Sequence, residues 1–186
     1  MGFSISTISK ALNGSNEIST ITKKRIVEIA KKHNYRPNKI ALGLKSGKTY
    51  TIAVIIPSVQ NSFFARALYG IESVISSTKY SSIICLTGES HEKEVSNFDV
   101  LSNGVVDGFI VAVSLETQTL GDFNHFSNVL NEGKSLVMFD SVIDEIPCTK
   151  VKTNDYVAIS KATKNLISSN RKKILLLSTI YNSNVG

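Results

Sequence analysis

Apolar positions recur along this chain in two rhythms, and the change between them falls near residue 50. Ahead of it, Ile5, Ile8, Ala11 and Leu12 stand three or four residues apart, which predicts a short helix with Ser4 as N-cap and Asn13-Gly14 as its stop. Ser19 and Thr20 are cap candidates for a second helix. It carries Ile26, Ile29 and Ala30 along one face and Lys23, Lys24, Lys31 and Lys32 along the other, and Pro37 closes it. A third segment, from an Asn38 cap through Lys39 and Leu44 to Gly47, has helical spacing but only a few turns. Gly43 inside it costs about 1 kcal/mol relative to alanine, so this helix is expected to form only against a partner.

From Thr51 onward, apolar runs of strand length alternate with amphipathic stretches. The runs are Thr51 to Ile56, Ser82 to Leu86, Gly108 to Val113, Ser135 to Phe139 and Lys173 to Leu177, with a weaker one near Thr149 to Thr153. Between them, helical spacing links Phe64, Ala67, Leu68, Ile71, Val74 and Ile75, then Val95 and Phe98. Further on it links Leu120, Phe123 and Val129, and finally Ile159, Ala162 and Leu166. Strands apolar on both faces with helices between them predict an α/β protein with a doubly wound parallel sheet. Ligands of such sheets bind outside the carboxyl ends of the strands. In this chain those ends are Pro57 to Phe64, Thr87 to Ser90, Val113 to Glu116, Asp140 to Val142 and the residues from Ser178 on.

Charge sharpens the division. The chain of 186 residues has a net charge of +6, yet residues 1–50 hold ten Lys/Arg against Glu17 and Glu28, a net +8, which leaves −2 for the rest. A basic head on a near-neutral body points to a polyanion at one end, or to a solvated lysine-rich surface. With 42% apolar and 19% charged residues the chain can bury a core. Its longest apolar runs fall far short of the roughly 20 residues of a membrane helix. The N-terminus MGFSISTISK lacks the basic start and apolar stretch of a secretory signal, so a cytoplasmic protein is expected. Cys85 and Cys148 read as small buried hydrophobes rather than a disulfide framework. Enzymatic equipment is missing: the sequence has no GxGxxG after the first strand, no GxxxxGK[ST], no GxSxG and no HExxH. His33, His91 and His125 are scattered, each read as an ordinary surface or partly buried residue, so neither a metal site nor another cofactor is expected.

The head contains Ser4-Ile5-Ser6-Thr7-Ile8-Ser9-Lys10-Ala11-Leu12-Asn13-Gly14, then Ile18-Ser19 and Thr22, then Tyr35-Arg36-Pro37-Asn38, then Ala41 and Leu44. The body adds Asn61-Ser62-Phe63-Phe64 after the first strand and Val106-Asp107-Gly108 at the third. Together these strings resemble the lactose-repressor (LacI/GalR) family of transcription regulators, over essentially all of the chain. The resemblance implies a partial helix-turn-helix head, a hinge helix, and a periplasmic-binding-protein-like sheet comprising a first lobe and the start of a second. It also implies a chain truncated at both ends, because family members place a helix ahead of the Gly2-Phe3-Ser4 turn and continue through a second lobe. The implied boundaries are 1–37 for the head, 38–49 for hinge and linker, 50–155 for the first lobe and 156–186 for the start of the second.

The resemblance further implies that Ser4 opens the recognition helix. Ile5 and Ser6 take the variable base-reading positions, and Lys10 replaces the usual arginine; a lysine can still donate to guanine O6 and N7. Thr7, Ser9 and Asn13 match positions that contact phosphates. Tyr35 and Asn38 belong to the hinge pattern, with Ala41 permitting close approach, Leu44 as the wedge in the minor groove and Lys45 beside it. The residues taken alone also allow Ile5 to be helix core and Leu44 to be linker filler. In the body, Phe63 and Phe64 match a ligand-stacking position. Asp140 and Asp155 match positions that hydrogen-bond sugar hydroxyls, although Asp140 could equally cap a turn. Ser141 stands where many relatives carry arginine.

The function so implied is a sequence-specific DNA-binding transcriptional regulator, a repressor controlled by a small-molecule effector such as a sugar or nucleobase-like metabolite, and not an enzyme. Its partners would be double-stranded operator DNA, that effector and a second copy of the chain, with no membrane. The alternative is a stand-alone sugar-binding protein of the periplasmic-binding type, which predicts an export signal and no basic head.

Overall fold

A computed structural model describes residues 2–12, 14–33, 35 and 47–177. The chain divides into two compact units, Met1–Ser46 and Gly47–Gly186.

In the first unit, helix α1 spans Ile5–Leu12 and helix α2 spans Thr20–Lys32. Ser4 Oγ accepts from Thr7 N at 3.2 Å, and Ser19 Oγ accepts from Thr22 N at 3.3 Å, so each helix has its first orphan donors satisfied by the predicted serine. The stop of α1 is a paired closure: Ser15 N donates to Lys10 O at 3.0 Å and Gly14 N to Ala11 O at 3.2 Å. Gly14 takes φ of +73°, the left-handed conformation this motif requires and a side chain resists. Ala11 of α1 and Ile26 of α2 are the buried residues of the two helices. The hinge segment and its site candidates Asn38, Ala41, Leu44 and Lys45, together with Asn13 and the residues from Ser178 on, lie outside the described residues.

In the second unit, five parallel strands run in the order β2-β1-β3-β4-β5: β1 Thr51–Ile56, β2 Ser81–Leu86, β3 Gly108–Val111, β4 Ser135–Phe139 and β5 Thr149–Val151. Helix α3 (Ser62–Ile75) covers one face, packing Phe64, Ala67, Leu68 and Ile71 on Val54, Ile56 and Ala112. Helices α4 (His91–Ser102) and α6 (Asn124–Asn131) cover the other, where Phe98, Leu101, Phe126 and Val129 meet Ala53, Ile55, Phe109 and Val111. The strand order reverses between β1 and β3, the switch point at which doubly wound sheets hold ligands.

The motif Val106-Asp107-Gly108 acquires a structural reason here. Asp107 Oδ1 accepts from Thr49 N at 2.7 Å and Thr49 Oγ1 at 2.9 Å, and Oδ2 accepts from Tyr50 N at 2.9 Å, pinning the chain as it leads into β1. Gly108 follows because a Cβ there would stand 2.9 Å from Ser135 O on β4. Desolvation pushes the Asp107 carboxyl up, but the bonds from Thr49 and Tyr50 and the charge of Lys48 outweigh it, and the net shift is downward. An acid with a lowered folded pKa contributes stability that is present above its unfolded value and lost as pH falls through the folded one. Urea melts from about pH 6 to about pH 3 should therefore show an acid-side loss that Asp107→Asn flattens, with the variant about 1 kcal/mol less stable at neutral pH.

Three expectations change. The run Lys173 to Leu177 is not a strand; Leu175, Leu176 and Leu177 are 79–84% exposed, since an apolar run becomes a strand only where a neighbouring edge offers hydrogen bonds. The helix expected through Leu120, Phe123 and Val129 is two: α5 (Leu115–Leu120) ends at Gly121 with φ of +69°, and Asp122 Oδ1 accepts from Asn124 N at 3.1 Å to start α6. His125 is fully interior, at 4% exposure, and bonded to a buried glutamate. Cys85 and Cys148 are half-buried free thiols against the core. Helix α7 (Asp155–Ser168) has no buried residue.

Candidate functional sites

The first candidate surface is one side of α1. Helical spacing puts Ile5, Ser6, Ser9 and Lys10 on a common face, opposite the Ala11 that packs on α2. Ile5 is 88% exposed, so its place is outside the core, whereas Ile8 is half-buried. Ser4 Oγ also contacts Ser6 Oγ at 2.9 Å and Thr7 Oγ1 at 2.8 Å, which draws three hydroxyls together at the helix N-terminus, where backbone N–H groups and the helix dipole favour anions. Lys10 Nζ is ion-paired with Glu17 Oε2 of the interhelical turn, both side chains exposed. The hydrogen bond and the charge of Lys10 hold the Glu17 carboxyl below its ordinary range. Lys23 Nζ donates to Gly14 O at 3.2 Å and so grips the other end of the same turn. Tyr35 is 55% exposed, just beyond α2.

The second candidate surface is the carboxyl edge of the sheet. Asn61 Oδ1 caps α3 by accepting from Phe63 N at 2.9 Å, which delivers two consecutive phenylalanines to that edge. Phe63 is exposed and Phe64 buried, their rings 5.2 Å apart and nearly perpendicular, and Phe64 meets Phe139 edge-on at 6.3 Å. Phe139 ends β4, and the next residue is Asp140, half-buried with φ of +59° and its N–H bonded to Val151 O at 3.0 Å. Burial raises the Asp140 carboxyl pKa, the Ser141 hydroxyl opposes this, and the nearby charge of Asp155 raises it further. Phe63, Phe64 and Asp140 thus gather at the switch side of the sheet, with Asp155, at the start of α7, electrostatically in reach.

Sequence reasoning missed what fixes the rim of this edge. Glu94 of α4 is fully buried. Its Oε1 accepts from Thr117 Oγ1 at 2.8 Å and His125 Nε2 at 3.0 Å, and its Oε2 from Ser114 N at 2.7 Å. Because the Thr117 hydroxyl donates to Glu94, it is left to accept from His91 Nδ1 at 3.1 Å. Ser114 Oγ in turn reaches Thr87 Oγ1 at 2.8 Å, joining the loop after β3 to the loop after β2. Outside this buried set, Glu89 Oε2 accepts from Leu115 N and Glu116 Oε2 from His91 N, both at 2.7 Å. The available signal was Glu94 itself, a charge four and seven residues ahead of Phe98 and Leu101 and so in step with the buried stripe of α4. Among the described residues no cluster of His, Cys, Asp or Glu could hold a metal ion, and no helix is long and apolar enough to cross a membrane.

Comparison with known proteins follows the same division. Residues 1–38 match the family described as "Bacterial regulatory proteins, lacI family", and residues 49–185 match "Periplasmic binding proteins and sugar binding domain of LacI family". Catabolite control protein A of Staphylococcus aureus (strain N315) is 36% identical over 126 residues, covering 68% of this chain and 38% of that protein. The protein of the same name from Staphylococcus epidermidis is 31% identical, covering 96% of this chain and 53% of that protein. The chain therefore spans about two fifths to one half of the length of these relatives. Among solved structures, a LacI-family transcriptional regulator from Silicibacter pomeroyi has a TM-score of 0.68 at 26% identity, over 90% of this chain and 49% of that one. The Lac repressor bound to ONPG has a TM-score of 0.76 at 20% identity, over 98% of this chain and 54% of that one, a likeness of fold.

Proposed function

This chain belongs to the lacI family of bacterial regulatory proteins, and from that membership we propose that it is a sequence-specific, effector-controlled DNA-binding regulator, acting as a repressor in the cytoplasm. The observation that carries the proposal is the exposed α1 face: a fully exposed isoleucine, a row of hydroxyls and a lysine on a short helix that the family match covers. A solvent-facing helix of this composition suits the major groove, with its N-terminal residues toward base edges.

In this reading Ile5, Ser6 and Lys10 read bases, while Ser4, Thr7, Ser9 and Asn13 fix register on phosphates. Tyr35, Asn38, Ala41, Leu44 and Lys45 form the hinge that enters the minor groove. Residues 1–37 serve as head, 38–49 as hinge and linker, 50–155 as first lobe and 156–186 as the start of the second. Phe63 and Phe64 offer an apolar wall to a small sugar-like or nucleobase-like effector whose polar groups Asp140 and Asp155 hydrogen-bond. The effector acts by binding one arrangement of the lobes better than the other, which biases the hinge. No enzymatic step is assigned to these residues. A homodimer is favoured by an apolar band on the α3 side of the sheet, where Ile84 and Leu86 of edge strand β2 are 44% and 48% exposed and Tyr69 and Val74 of α3 are exposed as well.

The test is selection of a duplex from a randomised library at low ionic strength, followed by anisotropy titrations of the wild type and Lys10→Ala. Affinity for the selected duplex should fall steeply with salt. Lys10→Ala should cost about 1–2 kcal/mol at a single base pair and little elsewhere. A wild-type protein with no preference for any duplex over random competitor would end the proposal.

A further inference from the structure

Base readout on this head involves a second residue that the family resemblance did not single out. Lys10 does not stand alone on the α1 face: its ammonium is in hydrogen-bond contact with the Glu17 carboxylate. Glu17 is one of two acids among the first fifty residues, and it sits in the turn held at one end by Lys23 on Gly14 O and locally by Ser15 Oγ, which accepts from Glu17 N at 3.4 Å. A carboxylate on a surface meant for a polyanion is a cost unless it does something there, because it repels phosphate and neutralises the one cation of the helix.

The chemistry of a G·C pair supplies that role. In the major groove guanine shows the acceptors O6 and N7, and cytosine shows the N4 donor. O6 and N4 are themselves hydrogen-bonded, hence about 2.9 Å apart. A lysine ammonium touching a glutamate carboxylate presents the complement, a donor and an acceptor side by side at hydrogen-bond spacing. Lys10 has three N–H groups and spends one on Glu17. Each carboxylate oxygen of Glu17 has two lone pairs, so neither partner is used up by the other.

Resting on the DNA-binding reading above, we infer that Lys10 and Glu17 act as one reading unit in which Lys10 donates to guanine O6 or N7 while Glu17 accepts from the N4 amino group of the paired cytosine. Glu17 is thereby a specificity-determining residue. An A·T pair with adenine in guanine's place sets an amino donor and a carbonyl acceptor in the opposite order across the groove, like against like at both ends of the dyad. Thr7 and Ser9, proposed phosphate contacts, hold the helix in register for this without sharing in it.

The expected effects of removing Glu17 run in opposite directions, which a merely structural role does not produce. The experiment takes the duplex selected by the wild-type chain, the same duplex with each base pair substituted in turn, and a random duplex of equal length, titrated against wild type, Glu17→Ala and Glu17→Gln. Glu17→Ala should bind the random duplex about two- to fivefold more tightly, because a repelling charge is gone. Its preference for G·C over A·T at the one pair sensitive to Lys10→Ala should shrink roughly tenfold, the value of one lost base-edge contact. Glu17→Gln, which keeps an acceptor oxygen without the charge, should gain the same random-duplex affinity and retain most of the preference. Equal gains on all duplexes with the preference intact in Glu17→Ala would overturn the dyad and leave Glu17 as a repelling charge. Selection of A·T at the Lys10-sensitive pair by the wild type would overturn it too. Absence of any selected duplex removes the DNA-binding reading itself, a result distinct from both.

Discussion

Glu94→Ala is expected to lower the stability of the sheet-bearing unit by about 3–5 kcal/mol, the range for removing one partner of a buried, hydrogen-bonded ionic group. The loss has identifiable parts. Ser114 N, Thr117 Oγ1 and His125 Nε2 all donate to this carboxylate, and truncation leaves all three without that acceptor in a site where Glu94 is fully buried. Each orphaned buried donor costs on the order of 1–3 kcal/mol before relaxation. His125 suffers most, because its Nδ1 already lacks a partner and its ring is wedged against Phe98 and Phe126 at 5.2 and 3.9 Å. Glu94→Gln should cost less than alanine but more than a surface substitution, since one carboxylate oxygen becomes an amide donor facing another donor. Denaturant melts of the three proteins measure the order. Equal stability of wild type and Glu94→Ala would show that the joint between the loops after β2 and β3 is not held by this carboxylate.

Phe98→Ala should cost a similar 3–5 kcal/mol, for a different reason. Phe98 is 1% exposed, stacked on Phe109 with ring centroids 4.5 Å apart and 20° between planes, and edge-on to Phe126 at 5.2 Å. Truncation leaves a cavity between α4, β3 and α6 that neighbouring aromatic rings fill poorly, since they are themselves fixed by packing. A domain of this size loses roughly 2–4 °C of Tm per kcal/mol, so a thermal melt reads the effect directly. Glu94 and Phe98 are one turn apart on α4 and both touch His125, so the double variant should lose less than the two single losses added together. Full additivity would mean that the polar cluster and the aromatic stack are independent. A loss under about 1 kcal/mol in Phe98→Ala would mean that the core repacks around the gap.

Much of the fold was legible from local patterns. Thr51–Ile56 and Ser135–Phe139 are strands at the predicted bounds because six- and five-residue apolar runs flanked by polar residues have few alternatives. The caps at Ser4 and Ser19, and the glycine stop at Gly14, were readable because each bond spans three to five residues. The effector residues proposed above come from family resemblance; the structure shows that Phe64 packs edge-on to Phe139, which Asp140 follows. Local pattern failed at Leu120 to Val129, where Gly121 and Asp122 divide one amphipathic stretch into two helices, and at Lys173 to Leu177, where strand-like composition pairs with no strand among the described residues.

Periodicity, caps and charge distribution therefore determined the basic helical head and the parallel sheet, and the motif strings pointed by resemblance to the family, because those signals act over a few residues and survive in one dimension. Tertiary structure alone decided that Glu94 and His125 share an interior site, that Asp107 anchors the approach to β1, and that Lys10 meets Glu17. Each of these joins groups 7 to 58 residues apart whose partners are set by the packing of whole elements. A buried carboxylate is tolerable only where three donors converge, and convergence is a property of the folded chain.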